Sequence, residues 1–538
     1  MSATALGFTD ARGCRDWLGA LPLTNIPQAQ SMVLEQLQAL NAADLGALER
    51  LKCLELLRDK IAFLQGEQRS RYYGKTIPLS PNDSNAWTLG ASLLAELESG
   101  YRTCLAEARS GGDAGQHEAL IAQRLIRFIG AQMLFHAVVY RRFDPSLWTR
   151  LHELYGQAEK GGIAATAVKD SLEGEGGASS VADAYTQVVL LQAAFLSEMT
   201  APQVDFAEAL LKLWSRKVQM LAAPPAGDSR RLDALVIDPA KPIGARPQPR
   251  PDFAAGQRIV ETASLSNSIR KRIHGLQGGE EAGALGLPVH ANVDPLSELK
   301  RLHKLWCEGA PPRPAPKPSQ TEKAGLVFGL NDIHFFISGG KAFEQPDKKR
   351  EMTKEEQRDI EVFGRVREQT LINLAAQTHA ATQTRGAAAL PSVTVEGWPV
   401  VDELLGAVRV QRPQTSSKSI AIGRIVAIRM GDTVPFFLGW VTELVQETDG
   451  RLIGTISVFP GKPEPISVRP AASGARASPQ WTQALRLPAN ESLKVPATLV
   501  LPSGIGLRGR GVEVYGGREA TVEDILEHGT DFDRVTTF

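Results

Sequence analysis

The chain has 538 residues, enough for about three to four domains at ordinary domain size. Hydrophobic residues make up 43% and charged residues 22%, the balance of a globular protein with several buried cores. Sixty Lys and Arg are matched by sixty Asp and Glu. A formal charge of zero gives no global attraction to nucleic acid or to an anionic membrane, so no DNA or RNA partner is expected.

Residues 1–222 read as a helical bundle or short solenoid. Between Gln28 and Gln65 the apolar residues Val33, Leu37 and Leu40, then Leu45, Leu48, Leu51, Leu54, Leu57, Ile61 and Leu64, step by three and four, one helix face or two helices broken near Asn41. Ser80-Pro81, with Asp83 three residues after the Ser, is a helix start, and Asp144-Pro145 is another. Further helices are expected near 117–142, 179–198 and 202–221.

Residues 223–257 are rich in Pro and Gly and read as a linker carrying one strand at Leu235–Asp238. Helical spacing returns over 258–310. The stretch PPRPAPKPS lies in a second Pro-rich linker, 311–323. The middle segment, 324–392, opens with the apolar run GLVFGLNDIHFFISGG, which reads as a strand or strand-turn-strand. A charged helix over 347–369 and a low-complexity stretch follow. From Val393 to the end, short β-rich runs at about ten-residue intervals predict a small antiparallel barrel, closed by a short helix at Val522–Glu527. The fold class is therefore multidomain α+β: an all-α N-terminal half and a C-terminal small antiparallel β-barrel. The runner-up is two unrelated all-α modules with an OB-like barrel.

Motifs for catalysis are missing. GIGLRG (Gly504, Gly506, Gly509) has dinucleotide-loop spacing, but the following GVEVY reads as a strand, so a hairpin turn is the better assignment. SGGK at 338–341 lacks the first Gly and the final Ser/Thr of a phosphate loop. The nine His and four Cys (Cys14, Cys53, Cys104, Cys307) show no metal-ligand spacing, and no disulfide framework is expected. His334, inside an apolar run, reads as a core or turn histidine. There is no apolar stretch of about 18 residues, hence no membrane span, and no signal-peptide pattern, so a cytoplasmic protein is expected. No cofactor, metal or enzymatic activity is expected. The one basic group worth weighing is Arg409, Arg412, Arg424 and Arg429 in the β region, beside Asp402; Arg409 and Arg412, three apart, would face opposite sides of a regular strand.

The segments GWPVVDELLGAVRV (397–410), IGRIVAIRMGDTVPFFLGWVTEL (422–444) and RLIGTISV (451–458) resemble a PilZ-type β-barrel. FGLNDIHFFISGGKAF and DILEHGTDFDRVTTF extend the resemblance to large PilZ-related proteins with a long helical N-terminal region. The resemblance implies a non-catalytic regulatory protein of cyclic di-GMP signalling that acts through protein contacts, the protein partner being unknown. The alternative is a scaffold or chaperone-like interaction protein whose degenerate barrel binds no nucleotide. PilZ domains hold their ligand with an RxxxR segment ahead of the barrel and a [D/N]xSxxG turn on it. Here Asp402 fills the acidic position, Leu404 stands where the Ser would be, and Gly406 falls one residue before the Gly position, held by Ala407. Upstream only Arg385 is near; Arg365 and Arg367 lie further back, and a literal RxxxR, Arg246 to Arg250, falls in the first linker. The implied ligand site is Asp402, Gly406, Arg409 and Arg385. Each charge-assisted bond lost from the motif is worth about 1.5–3 kcal/mol, so the fold is better specified than the ligand. The plainer role for Asp402 is an Asx-type bond within its own turn.

Overall fold

The structure is a computed structural model. It describes residues 5–173, 177–223, 233–249, 253–309, 315–346, 354–363, 365–367, 394–431, 435–471, 480–517 and 519–538. The chain divides into two units, Met1–Pro312 and Arg313–Phe538.

The first unit is built on α1 (Ala11–Gly19), α2 (Ile26–Ala42), α3 (Ala47–Gln68), α4 (Pro81–Arg109), α5 (Glu118–Ala137), α6 (Ser146–Lys160), α7 (Val181–Ala193) and α8 (Ala201–Trp214). A two-strand hairpin, β1 (Val168–Lys169) and β2 (Ala178–Ser179), separates α6 from α7. The starts are set by side chains. Ser80 accepts from the Asp83 N–H ahead of Pro81, Ser180 and Asp183 form a reciprocal capping box, and Thr200 and Gln203 form another. The break near Asn41 falls between α2 and α3, where the buried Arg50 guanidinium donates to the carbonyls of Leu40 and Ala43 and so closes the end of α2. The faces read from the spacing, among them Val33, Leu37, Leu54, Ile61, Leu94 and Ile129, meet in one core.

Residues 223–257 differ from a linker. Their described part carries β4 (Asp233–Ile237) and β5 (Arg246–Pro249). With β3 (Gln219–Leu221) and β6 (Arg258–Glu261) these form a four-stranded antiparallel sheet in the order β3-β6-β4-β5. Pro247 and Pro249 sit on β5, an edge strand, where a residue without an N–H costs the ladder least. The helix expected to reach 221 ends at Trp214, and its tail becomes β3. α9 (Ala263–Gln277) and α10 (Pro295–Cys307) follow. Trp306 donates its ring N–H to the Leu190 carbonyl and ties α10 to α7.

The second unit holds two closed six-stranded antiparallel barrels where one was expected. It contains β7 (Lys323–Phe328), α11 (Leu330–Ile337), α12 (Lys354–Phe363), β8 (Glu396–Leu404), β9 (Ala407–Gln411), β10 (Ile425–Met430), β11 (Phe437–Gln446) and β12 (Leu452–Val458), then β13 (Glu464–Pro470), β14 (Thr482–Leu487), β15 (Thr498–Pro502), β16 (Gly511–Val514), β17 (Glu519–His528) and β18 (Phe532–Thr537). The first barrel runs β10-β11-β12-β9-β8-β7 and closes through β7 on β10. The second runs β13-β14-β15-β18-β17-β16 and closes through β16 on β13. Numbered one to six within each barrel, the strands follow the same circuit, 1-2-3-6-5-4. Two copies of one topology therefore stand in tandem.

The first barrel begins seventy residues earlier than Val393, at Lys323. The apolar run there is a strand followed by a helix: Gly329, at φ +87°, turns the chain out of β7, and α11 starts at once. The expected C-terminal helix is instead β17. Register shifts at Val522/Asp524 and Ile525/Glu527 let two apolar residues three apart face the same core, which imitates helical spacing. GIGLRG joins β15 to β16, strands that are not paired, so it is a crossover loop and no hairpin. Gly339 and Gly340 of SGGK, both at positive φ, end α11, with the Gly340 N–H bonded to the Phe335 carbonyl.

The two barrels share a core. Val327, Ile425 and Leu438 of the first, Leu330 and Ile333 of α11, and Leu485, Val500 and Phe532 of the second lie in one cluster. Beside it the turn before β18 docks on the first barrel: the Ile425 N–H donates to Asp531 Oδ1 (2.9 Å) and the Thr530 N–H to the Gly423 carbonyl (2.8 Å).

Candidate functional site

The candidate residues lie on the β8–β9 hairpin of the first barrel. Val408 and Val410 alternate into the core, which puts Arg409 on the outer face. A register shift between Val400 and Asp402 bends β8 and sets Asp402 directly opposite Arg409. Arg409 Nη1 donates to Asp402 Oδ2 at 2.9 Å. The other carboxylate oxygen, Oδ1, is buried with no hydrogen-bond partner, so Asp402 bonds across the strands and not in an Asx manner through that atom. Gly406 takes φ +74° in the turn, a conformation that suits glycine, and its carbonyl accepts from the Val458 N–H. Leu405 at the tip is 91% exposed. Arg385 lies outside the described residues.

The polar row continues across the barrel. Arg409 is in register with Thr455 of β12, whose hydroxyl donates to Glu443 Oε2 of β11 (2.9 Å), and β11 carries its own register shift at Val441/Glu443. Asp402, Arg409, Thr455 and Glu443 thus cross four adjacent strands. Such a row offers carboxylate acceptors for N–H donors of a base and one guanidinium for an anion.

The four arginines of the β region do not gather. Arg412 donates to the carbonyls of Lys418 and Ser416 and holds the loop after β9. Arg424 donates to the Ser419 carbonyl and lies 3.7 Å from Asp531 at the barrel junction. Arg429 covers the Phe436 ring. β12 and β11 stand between β9 and β10, which separates Arg409 from Arg429.

His334 is buried at the junction of α11 with the barrels. It packs edge-on against Phe343, bonds to the backbone of Ile466, and leaves Nδ1 buried without a partner. Burial pushes its pKa below the usual value despite the Ile466 bond. Among the described residues no group of three His, Cys, Asp or Glu could hold a metal, and no helix is long and apolar enough to cross a membrane.

The first unit holds two features that sequence patterning did not single out. A cavity of about 410 Å³ is lined by Tyr155, Glu159, Thr186 and Met220 among others. A buried charge network pins the β1–β2 hairpin. Asp170 Oδ1 accepts from Arg58 Nη1 (2.7 Å), and Oδ2 from Gln123 (3.1 Å), with Arg124 Nη1 at 3.1 Å. Arg124 also grips Glu55 with two bonds of 3.0 Å, and the Tyr101 hydroxyl donates to the same carboxylate. Burial opposes the charge on Asp170, but Arg124 and Arg58 outweigh it and hold the carboxyl at about 2. The available signal was Arg58 on the apolar stripe Leu54–Leu57–Ile61 and Arg124 beside Leu125, charges placed where a core face expects none.

Comparison with known proteins places the chain near one receptor. Residues 12–225 match the family model described as the N-terminal domain of the cyclic-di-GMP receptor FimW. Over 344 residues the chain is 25% identical to the cyclic-di-GMP receptor FimW of Pseudomonas aeruginosa (strain PAO1), a match covering 63% of this chain and 56% of that protein. The chain thus spans about half the length of the curated relative it matches. No solved structure matches. The relation to cyclic di-GMP signalling implied by the barrel segments agrees with both matches.

Proposed function

We propose that the chain is a cytoplasmic, non-catalytic regulatory protein that binds cyclic di-GMP and acts through protein contacts of its helical unit. The observation that carries this reading is the match of residues 12–225, nearly all of the helix bundle, to a domain of a cyclic-di-GMP receptor. The hairpin of Asp402, Gly406 and Arg409, with Arg385 ahead of it, is the proposed ligand site. Asp402 accepts guanine N–H groups and Arg409 turns to a phosphate or stacks on a base. Ligand entry must compete with the Arg409–Asp402 bond, a partly exposed pair of about 0.5–1 kcal/mol, a small barrier beside a charge-assisted phosphate bond.

The engagement of the Arg409 guanidinium by Asp402 favours the second reading, a scaffold whose barrel binds no nucleotide. Isothermal titration separates the two. A dissociation constant in the micromolar range or tighter supports the receptor. No heat at about 100 μM, equivalent to about 5.5 kcal/mol, supports the scaffold. For the receptor, Arg409→Ala and Arg385→Ala abolish binding and leave the melting temperature nearly unchanged. Unaltered affinity in both variants would mean the ligand sits elsewhere.

A further inference from the structure

We propose that the free edge of β3 receives an extended, basic peptide segment of a partner protein, which adds as a fifth strand and sets one Lys or Arg side chain in the adjoining cavity. The inference rests on the reading that the helical unit acts through protein contacts, and it names the kind of partner. The sheet runs β3-β6-β4-β5, so it has two edges. On β5, Pro247 and Pro249 lack the N–H groups that an added strand would bond, which blunts that edge. β3 has the opposite character. Gln219, Met220 and Leu221 carry neither charge nor proline, and they pair with Glu261, Val260 and Ile259 of β6 without a register shift. Among the described residues β3 pairs with β6 alone, so its outer N–H and C=O groups form a regular, unguarded template.

The same edge walls the cavity of about 410 Å³. Val218, Gln219 and Met220 form one side of it, and α6 with the start of α7 forms the other. Met220 packs toward the helical core, and Leu221 toward the opposite face of the sheet. Side chains directly opposite one another on neighbouring strands share a face. The peptide residue beside Met220 therefore turns its side chain toward the helices, into the cavity.

The cavity selects a cation. Glu159 of α6 and Asp183 of α7 line it, and among the described residues no Lys, Arg or His does. Arg258 bonds Glu159 only through Oε2 (2.9 and 3.3 Å), and Arg216 lies 3.6 Å from Oδ2 of Asp183, which also takes the Ser180 N–H. Both carboxylates thus keep an oxygen for a further donor. The Tyr155 hydroxyl lies beside Glu159. Thr186 is 3% exposed, lines the cavity, and has no hydrogen-bond partner for its hydroxyl among the described residues. A buried hydroxyl left unpaired costs stability, and an ammonium or guanidinium N–H removes that cost. Ala164, Ala165 and Ala182 give the aliphatic stem of Lys or Arg an apolar wall.

The probe is the fluorescently labelled peptide Thr-Val-Arg-Val-Thr, blocked at both ends, titrated against the full chain without nucleotide and followed by fluorescence anisotropy. The expected result is saturable binding at or below about 100 μM. Exchanging the peptide's Arg for Glu weakens it at least about tenfold. Of two N-methylated peptides, one modified at Arg and one at both Val residues, a single form loses binding, because alternate N–H groups face the edge. Thr186→Val and Glu159→Gln weaken binding with the helical circular dichroism unchanged, whereas Glu153→Gln, on the exposed side of α6, leaves it intact. Equal binding of the Arg and Glu peptides, equal binding of the two N-methylated forms, or displacement by free arginine amide at the peptide's own concentration overturns the proposal. A chain that binds cyclic di-GMP and not the peptide loses this inference and keeps the receptor reading; one that binds the peptide and no nucleotide does the reverse.

Discussion

Removing the charge of Asp170 tests whether the buried network holds the helical unit together. Asp170 is 4% exposed and faces Arg58 and Arg124, themselves 4% and 2% exposed. A carboxyl held at about 2 in place of its usual 3.8 corresponds to roughly 2 kcal/mol in favour of the folded, charged form. Asp170→Asn forfeits that and leaves two buried guanidiniums short of a counter-charge, a situation that costs about 3–5 kcal/mol in buried pairs. The expected loss is therefore about 2–5 kcal/mol at pH 7, read by urea denaturation of the full chain followed through its helical circular dichroism. The pH dependence has a definite sign. Because the folded pKa lies below the unfolded one, the stabilisation is complete above about pH 4 and fades as pH falls toward 2. The variant should lack that portion of the acid limb. A change under about 0.5 kcal/mol, or an acid limb identical to the wild type, would refute the reasoning.

Other outcomes follow from close packing and burial. A Cβ on Gly130 of α5 would run into Val188 Cγ2 of α7, so Gly130→Ala should cost about 1–3 kcal/mol in the same unfolding assay. His334 has a lowered pKa, so the unfolded chain takes up its proton first as pH falls. Stability should decline below about pH 6.5 and level off beneath the folded pKa, and His334→Phe should flatten that slope in thermal melts between pH 7.5 and 5.

What could be read from the chain was local. Ser80-Pro81-Asp83 carries its own helix start within four residues, and the Asp402–Gly406 turn likewise declares itself in sequence. Where the reading failed, a distant partner decided the outcome. Pro247 and Pro249 suggest a linker until β4 is known to pair with their strand on one side only. Val522 and Ile525 suggest a helix until β18 imposes its register shifts. The site shows the same limit. Arg409 is legible as a basic residue after an acidic turn, but its bond to Asp402 depends on a bulge in β8. The Asp170 network joins residues more than a hundred positions apart, which no window of sequence brings together.

The first barrel is completed by a strand laid down long before the rest of it. β7 is the keystone between β8 and β10, and α11 and α12 intervene before the chain returns to β8. Cut from the chain at Val393, the remaining strands of that barrel form an open sheet with two raw edges facing one strand-wide slot. Such a fragment becomes an acceptor. Its empty slot should take a peptide of the Lys323–Phe328 sequence supplied in trans, or steal that strand from a neighbouring copy and chain molecules together. The boundary of the folded module is therefore set by where β7 begins, and not by where the run of β-rich sequence starts.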